Sequence, residues 1–281
     1  MGLVPIRQAI QKDDMDADLR NGLWNALQKL YLDHNRQYTL SAVPHLLAFV
    51  ETLWMGYFKY PVDEVPYDWG SAYKTIREYY FKAEWFRVYD LIEFIVQHSD
   101  SLVAPYRMQG FSQAFNNVLK SELSGYRFVG DAIAPIISEE EIASVENALY
   151  LKDVFAPVQA HLNQALKLLS DRQRPDYKNS VKESISAVES MASLIAGRNK
   201  AELSSALDRI KGKLGMHQAF ERALKQLYGY TSDENGIRHA ALEETSLDQE
   251  DAVFMLVSCS AFVNYLKAKA DRAGITLTPV Q

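Results

Sequence analysis

The sequence predicts a mainly α-helical protein with two helical domains and one short β-hairpin near residues 126–137. Apolar residues recur every three or four positions through both halves of the chain, which is the spacing of an amphipathic helix. A single stretch alternates apolar and polar residues as a strand does. With 281 residues, 48% of them hydrophobic, the chain can build one large core or two of ordinary size. We place the two domains at 1–125 and 126–281.

Helical spacing dominates the first half. We predict, in chain order, a helix over 16–32, a buried segment over 40–59, a proline turn at 61–66, one long helix over 69–98 and another helix over 105–124. Leu19, Leu23 and Leu27 lie at near-ideal spacing in the first helix. The long helix carries a stripe of aromatic and aliphatic residues, which is typical of core packing and predicts that Trp85 is nearly buried.

The strand signal is the stretch YRFVGDAIAPIIS, residues 126–138. Gly130 and Asp131 at its centre are typical of a tight hairpin turn. The hairpin also marks the predicted domain boundary. After it, Ser138 and Glu141 match the S-x-x-E capping box, in which the serine and the glutamate each accept a bond from a free backbone amide at a helix start.

The second half is predicted to be helical throughout. We expect helices over 138–151, 154–170, 180–195, 199–211, 216–228 and 247–270. Ser246 and Gln249 form a second capping-box match at the start of the last helix. Val253, Val257 and Ala261 line up along that helix, so we expect it to be central and Val257 to be nearly buried.

Composition narrows the function classes. The formal net charge of −6 argues against a broad nucleic-acid footprint, although residues 171–226 hold 11 Lys and Arg against 7 Asp and Glu. The one cysteine, Cys259, allows no disulfide within the chain and favours a reducing cytoplasm. No run of about 18 uninterrupted apolar residues and no signal-peptide pattern is present. We therefore expect a cytoplasmic protein without a membrane partner.

Several chemical motifs are absent from the sequence. No glycine-rich phosphate loop, zinc-protease motif or hydrolase nucleophile elbow occurs. With one cysteine and six scattered histidines, we expect no metal site, and we predict no cofactor.

The densest polar cluster is YGYTSDENGIRHAALEE, residues 228–244. Gly229 and Gly236 bracket a predicted loop between two helices. The cluster also supplies the candidate site residues, three for binding and two for catalysis: Asp233, Glu234, Asn235, Arg238 and His239.

Two interpretations of this cluster remain open. In the structural one, Arg238 pairs with Asp233, Glu234 or a carboxylate on the helix containing Glu183 and Glu189, and so fixes the connection. In the functional one, Arg238 and His239 line a nucleotide or RNA site. Adjacent residues on a helix point about 100° apart, so these two side chains converge only if the segment is a loop.

Three segments resemble a known family. IQKDDMDADLRNGLWNAL, residues 10–27, is similar to the opening of the abortive-infection AbiJ N-terminal domain of the fourth type. RPDYKNSVKESISAVES and YGYTSDENGIRHA…DAVFMLVSCSAFVNYL resemble the same group and give the back half a HEPN-like character. The resemblance implies an AbiJ-type domain over 1–125, a hairpin with a HEPN-like domain over 126–281, and a role in bacterial phage defence.

Many HEPN domains are toxin ribonucleases whose motif is an arginine followed, after four to six residues, by a histidine. None of the six histidines has an arginine at that spacing, and acidic residues occupy the places upstream of His239. Two hypotheses follow. The first is a non-catalytic HEPN-like half that binds nucleotide, RNA or a partner. The second is a divergent endoribonuclease that uses Arg238 and His239 across a homodimer. Whether the protein is an enzyme stays open.

Overall fold

The computed structural model describes residues 10–33, 38–98, 110–151, 153–197, 207–208, 211–212, 214–232, 247–275 and 277. The prediction of a mainly α-helical fold is confirmed. The α-helices are α1 Ala17–Leu27, α2 Pro44–Thr52, α3 Trp69–Lys82, α4 Trp85–His98, α5 Phe111–Ser121, α6 Glu139–Leu149, α7 Ala156–Ser170, α8 Tyr177–Ala196, α9 Gln218–Ser232 and α10 Gln249–Arg272. Among the described residues the strands are β1 Arg127–Val129 and β2 Ala132–Ala134.

The chain forms two compact units, Met1–Ile133 (unit 1) and Ala134–Gln281 (unit 2). The predicted domains, 1–125 and 126–281, would each fold independently, and this division stays a prediction.

Helix α1 begins where the sequence predicts and buries the expected stripe. Asp16 is its N-cap and accepts a hydrogen bond from the backbone nitrogen of Leu19 at 2.9 Å. Leu19, Leu23 and Leu27 are fully buried. A π-helical turn, Gln28–Leu32, extends α1 to the end of the predicted range.

The prediction of one long helix over 69–98 is wrong, because α3 ends at Lys82 and α4 begins at Trp85. Ala83 is extended, and the guanidinium of Arg20 donates hydrogen bonds to the carbonyl oxygens of Tyr80 and Ala83, both at 2.9 Å. These bonds satisfy carbonyl groups at the end of α3. The Tyr80 hydroxyl donates back to the Arg20 carbonyl at 2.8 Å. The break therefore depends on a partner some 60 positions earlier in the chain.

Trp85 is half-buried, not nearly buried as predicted. It lies at the first residue of α4, where its ring is 6.0 Å from Tyr89 and 5.8 Å from Tyr126, centroid to centroid. The fully buried residues of α4 begin one turn later with Val88, Tyr89 and Ile92. The predicted stripe crosses the α3–α4 break. Its members Tyr89, Ile92 and Val96 are buried, whereas Phe81 and Trp85, beside the break, are half-buried.

The hairpin is confirmed, with Gly130 in its turn at φ 63°. Its backbone is fixed by side chains of unit 1. Asn116 accepts from the nitrogen of Phe128 at 2.7 Å and donates to the oxygen of Phe128 at 3.1 Å. The Glu93 carboxylate accepts from the nitrogen of Ile133.

The helix predicted over 105–124 is described only as α5, Phe111–Ser121, and residues 99–109 lie outside the described residues. Of the helix predicted over 199–211, the structure describes only short stretches.

Unit 2 contains an antiparallel α7–α8 hairpin against which α10 packs, and α10 also contacts α6. The predicted stripe of α8 is confirmed, since its members are all buried: Val181, Ile185, Val188 and Ala192. The Ser180 hydroxyl donates to the Ala165 carbonyl at 2.8 Å, which ties α8 to α7. Ser138 is the N-cap of α6 as predicted, and accepts from the nitrogen of Glu141 at 3.3 Å.

The predicted register of the last helix is wrong. Val257 is half-buried and Ala261 is exposed, whereas Leu256, Cys259 and Val263 are buried. The helix is apolar on more than one side, so spacing alone could not indicate which side faces the core.

The start of α10 also differs from the prediction. Asp248 is the N-cap and forms a reciprocal capping box with Asp251, at 2.9 and 3.2 Å. Ser246, the predicted cap, lies outside the described residues.

Length and mean hydropathy mark α10, among the helices that the structure describes, as one that could cross a membrane. In the 18-residue window that passes this test, 44% of the residues are buried within the chain. The same profile is found in core helices of proteins that never enter a bilayer.

Candidate functional site

The five site residues predicted from sequence lie outside the described residues. Asp233, Glu234, Asn235, Arg238 and His239 all fall within 233–246. Their roles, and the ion pair proposed for Arg238, stay predictions.

The structure does describe both flanks of this segment. Helix α9 continues to Ser232, so Gly229 lies within a helix, and the prediction that it opens a loop is wrong. Helix α10 follows from Gln249.

Among the described residues, the strongest candidate for a site is a histidine–carboxylate pair on the α7–α8 hairpin. His161 of α7 places Nδ1 2.6 Å from Oε2 of Glu183 on α8. The bond from Ser180 to Ala165 sets the two helices antiparallel, so position 161 lies opposite position 183 one turn further along. The pair follows from the register of the hairpin.

The His161–Glu183 pair is open to solutes. The His161 side chain is 37% exposed and that of Glu183 is 24% exposed. A carboxylate on Nδ1 fixes the orientation of the ring and leaves Nε2 as the nitrogen that can exchange a proton or hydrogen-bond a ligand. Such a pair can act as an acid, a base or a hydrogen-bond donor to a phosphate oxygen. It also serves as a simple tie between two helices.

Basic residues gather at the end of the same hairpin. Here the chain turns back at a short connector, where the backbone nitrogen of Asp176 donates to the oxygen of Leu168 at 3.1 Å. We call the group the basic tip and define it as Lys167, Arg172, Arg174, Lys178 and Lys182.

Two carboxylates, Asp171 and Asp176, accompany these five cations, which leaves a local net charge of +3. Both carboxylates accept hydrogen bonds from backbone amides. Asp171 accepts from the nitrogens of Gln173 and Arg174, at 3.0 and 2.9 Å, and Asp176 caps α8 by accepting from the nitrogen of Asn179 at 3.0 Å. These carboxylates stabilise the turn and the helix start. Three cations of the tip, Lys167, Arg174 and Lys182, are exposed to solvent.

A second group of charged residues lies near α9, and its positive and negative charges cancel. Lys225 and Lys211 bond the buried Glu221 carboxylate at 2.9 and 3.1 Å, and both also bond Asp208, at 2.8 and 2.7 Å. The hydrogen bond from Lys225, and then that from Lys211, hold the pKa of Glu221 below its ordinary value although burial opposes them. Two cations and two carboxylates leave no net charge here.

The remaining nucleophile and metal candidates are weak. Cys259 is buried, and burial raises the pKa of its thiol to about 12, which makes it an unreactive core residue. Within the part of the chain that the structure describes, no group of three or more His, Cys, Asp or Glu is placed to hold a metal ion.

Sequence reasoning missed the His161–Glu183 pair because it compared each histidine only with residues five to seven positions upstream. Glu183 lies 22 positions downstream on the next helix. A usable signal was present, since two amphipathic helices joined by a short proline-bearing connector are expected to be antiparallel. That arrangement sets residues equally far from the turn opposite each other.

Comparison with known proteins concerns mainly the first half of the chain. A family model described as AbiJ N-terminal domain 4 matches residues 1–151, which are more than half of the 281. No curated protein and no solved structure matches the chain. The match covers unit 1, the hairpin and α6, which begins unit 2. The chain therefore belongs to the AbiJ N-terminal domain 4 family, and with it to the proteins of abortive infection and phage defence.

Proposed function

We propose that unit 2 of this phage-defence protein is a HEPN-like bundle that binds RNA or a nucleotide through its phosphate groups, without cleaving it. The observation that carries the proposal is the basic tip of the α7–α8 hairpin, with the solvent-open His161–Glu183 pair on the same two helices. Both features lie on the same helical hairpin. A ligand that bridges them would carry negative charge and a hydrogen-bonding group.

Electrostatics supports this choice of ligand. The chain as a whole has a net charge of −6, so a +3 tip concentrates positive potential in a protein that otherwise repels polyanions. Phosphate groups gain from such a patch by releasing counterions, and this gain falls as salt rises. Lysine and arginine bind phosphate oxygens whatever the base sequence of the nucleic acid.

The spacing of the histidines supports binding without cleavage. No histidine has an arginine at the spacing of the HEPN ribonuclease motif. Two carboxylates upstream of His239 would repel a scissile phosphate where the motif requires a cation. The competing proposal remains a divergent endoribonuclease in which Arg238 and His239 act across a homodimer.

The binding test uses the full chain and a fluorescently labelled single-stranded RNA, with ATP as a competitor. The double variant Arg174→Gln, Lys182→Gln removes two exposed cations of the tip. We expect roughly tenfold weaker RNA binding. The slope of the logarithm of the binding constant against the logarithm of salt concentration should decrease in magnitude by about 1 to 2. Lys29→Gln, an exposed lysine of unit 1, is the matched control and should leave binding unchanged. Equal affinity of the double variant and wild type would rule out the tip as the binding surface.

The catalysis test uses the same RNA. Intact RNA after prolonged incubation with wild-type protein supports a binding role. Cleavage that is lost in His239→Ala, at an unchanged melting temperature, would establish the endoribonuclease instead. Cleavage that is lost in His161→Gln and kept in His239→Ala would move the chemistry to the α7–α8 hairpin.

A further inference from the structure

The outward face of α10 carries no charged residue over four turns. No charged residue occurs from Ala252 to Leu266, although the buried stripe of the helix, which includes Leu256, Cys259 and Val263, occupies only one side. On the other side Phe254 is 59% exposed, Ala261 is exposed and Val257 is half-buried. A solvated helix face normally carries charges, so a face of this kind is typical of a surface that meets another apolar surface.

The exposed residues of this face are arranged symmetrically about Ala261. Phe254 lies seven positions before it and Ala268 seven positions after it, and both are exposed. In an antiparallel pair of α10 helices with a two-fold axis at position 261, the large Phe254 of one copy faces the small Ala268 of the other. Ala261 faces itself at the centre, where a small side chain allows close approach. The sizes therefore complement each other.

The charges at the two ends of this face are also complementary in an antiparallel pair. Glu250 lies eleven positions before Ala261 and Arg272 eleven positions after it, and both are exposed. The antiparallel pairing brings Glu250 of one copy to Arg272 of the other, at both ends. A parallel pairing would set like charges opposite each other, which is unfavourable.

We propose that α10 is a self-association surface, on which a second copy of this chain packs its own α10 antiparallel about Ala261. The helix has 24 residues and is therefore about 36 Å long, enough for an apolar centre flanked by two ion pairs. The contact is isologous, because each copy contributes the same residues. It involves neither the basic tip nor His161, so it stands or falls separately from the proposed RNA binding.

The first test measures oligomeric state by sedimentation velocity across micromolar concentrations. Wild type should form a dimer. Ala261→Glu sets two carboxylates against each other at the axis and should raise the dimer dissociation constant about tenfold or more. Glutamate is a good helix former at an exposed position, so the variant should fold. Ala223→Glu, at an exposed position on α9, is the matched control and should remain dimeric.

A charge exchange tests the antiparallel direction. Glu250→Arg and Arg272→Glu should each weaken the dimer, and the double variant should restore it. In addition, Ala261→Cys should give a disulfide-linked dimer on a non-reducing gel, whereas Cys259 of the wild type is buried and should not.

Two results would overturn the proposal. One is a monomeric wild type, and co-sedimentation of that monomer with phosphatidylcholine–phosphatidylglycerol vesicles would assign the face to lipid instead. The other is a dimer that survives Ala261→Glu.

Discussion

Two glycines of unit 1 show how single atoms decide its packing. A Cβ atom added to Gly22 of α1 would lie 2.7 Å from Cγ1 of Val118 on α5, and one added to Gly56 would lie 2.9 Å from Cζ of Phe94. Separations this short require the neighbour to move. Glycine at these positions therefore reflects close approach, not the need for an unusual backbone conformation.

Gly22→Ala should destabilise the protein. Alanine favours a helix by about 1 kcal/mol over glycine, but overpacking against a β-branched side chain costs about 1–3 kcal/mol. We expect a net loss of about 1 kcal/mol in the free energy of unfolding, measured with urea. Asn21→Ala, at the exposed neighbouring position, is the control and should be neutral or stabilising. Equal stability of Gly22→Ala and Asn21→Ala would show that α1 and α5 are less close than described.

Glu221 should make stability depend on acidity. Lysine partners lower its pKa in the folded chain, so the network contributes stability above the pKa of an unfolded glutamate, about 4.3, and loses it as pH falls through the lower folded value. The unfolding free energy, measured as the pH is lowered from neutral, should therefore fall less steeply below about pH 4.3 in Glu221→Gln than in wild type. Glu64→Gln, at an exposed site, should retain the wild-type slope. Matching acid slopes in Glu221→Gln and wild type would contradict the network.

At the scale of secondary structure, contacts between distant residues decide where elements end and which side they bury. Arg20 of α1 caps the last turn of α3, which separates α3 from α4. In α10, packing against α6 and α8 selects one of two apolar sides. Neither effect is visible in the local sequence.

The register of α10 can be tested with two valines. Val263 is fully buried and Val253 is half-buried. We expect Val263→Ala to cost about 2 kcal/mol of unfolding free energy and Val253→Ala less than about 1 kcal/mol, since a cavity forms only where no solvent can enter. Chemical denaturation of both variants provides the measurement. A larger loss for Val253→Ala would restore the stripe predicted from sequence.

For the molecule as a whole, helices dominate and a single short hairpin supplies the β structure that the described residues contain. Far-ultraviolet circular dichroism of the full chain should therefore indicate more than about half helix, well above the third that is usual in globular proteins, and under about a tenth strand. A strand content of a third or more would contradict the fold in both units.

The charge of the whole molecule is uneven in a way that bears on function. An acidic chain carries a basic tip on one hairpin of unit 2 and an uncharged face on α10. We propose a phosphate-bearing ligand for the first surface and another copy of the chain for the second. The two surfaces can be disabled one at a time, so RNA binding and self-association can be measured independently.

The sequence by itself determined the helical class, the hairpin at Gly130 and most helix positions, because these depend on periodicity and turn chemistry within a few residues. It also indicated the family through local strings such as residues 10–27, which lie within the matched range 1–151. The buried stripes of α1 and α8 were predicted correctly from the spacing of their apolar residues.

Only the tertiary structure decided the break after Lys82, the buried side of α10 and the His161–Glu183 pair. Each depends on residues that are distant in the chain: Arg20 for the break, the packing of α6 and α8 for α10, and the register of the α7–α8 hairpin for the pair. Periodicity reports which residues share a helix face, but it does not report what that face meets. The physical reason is that helix formation is local, whereas capping, burial and the assembly of a site require contacts between elements that only the folded chain brings together.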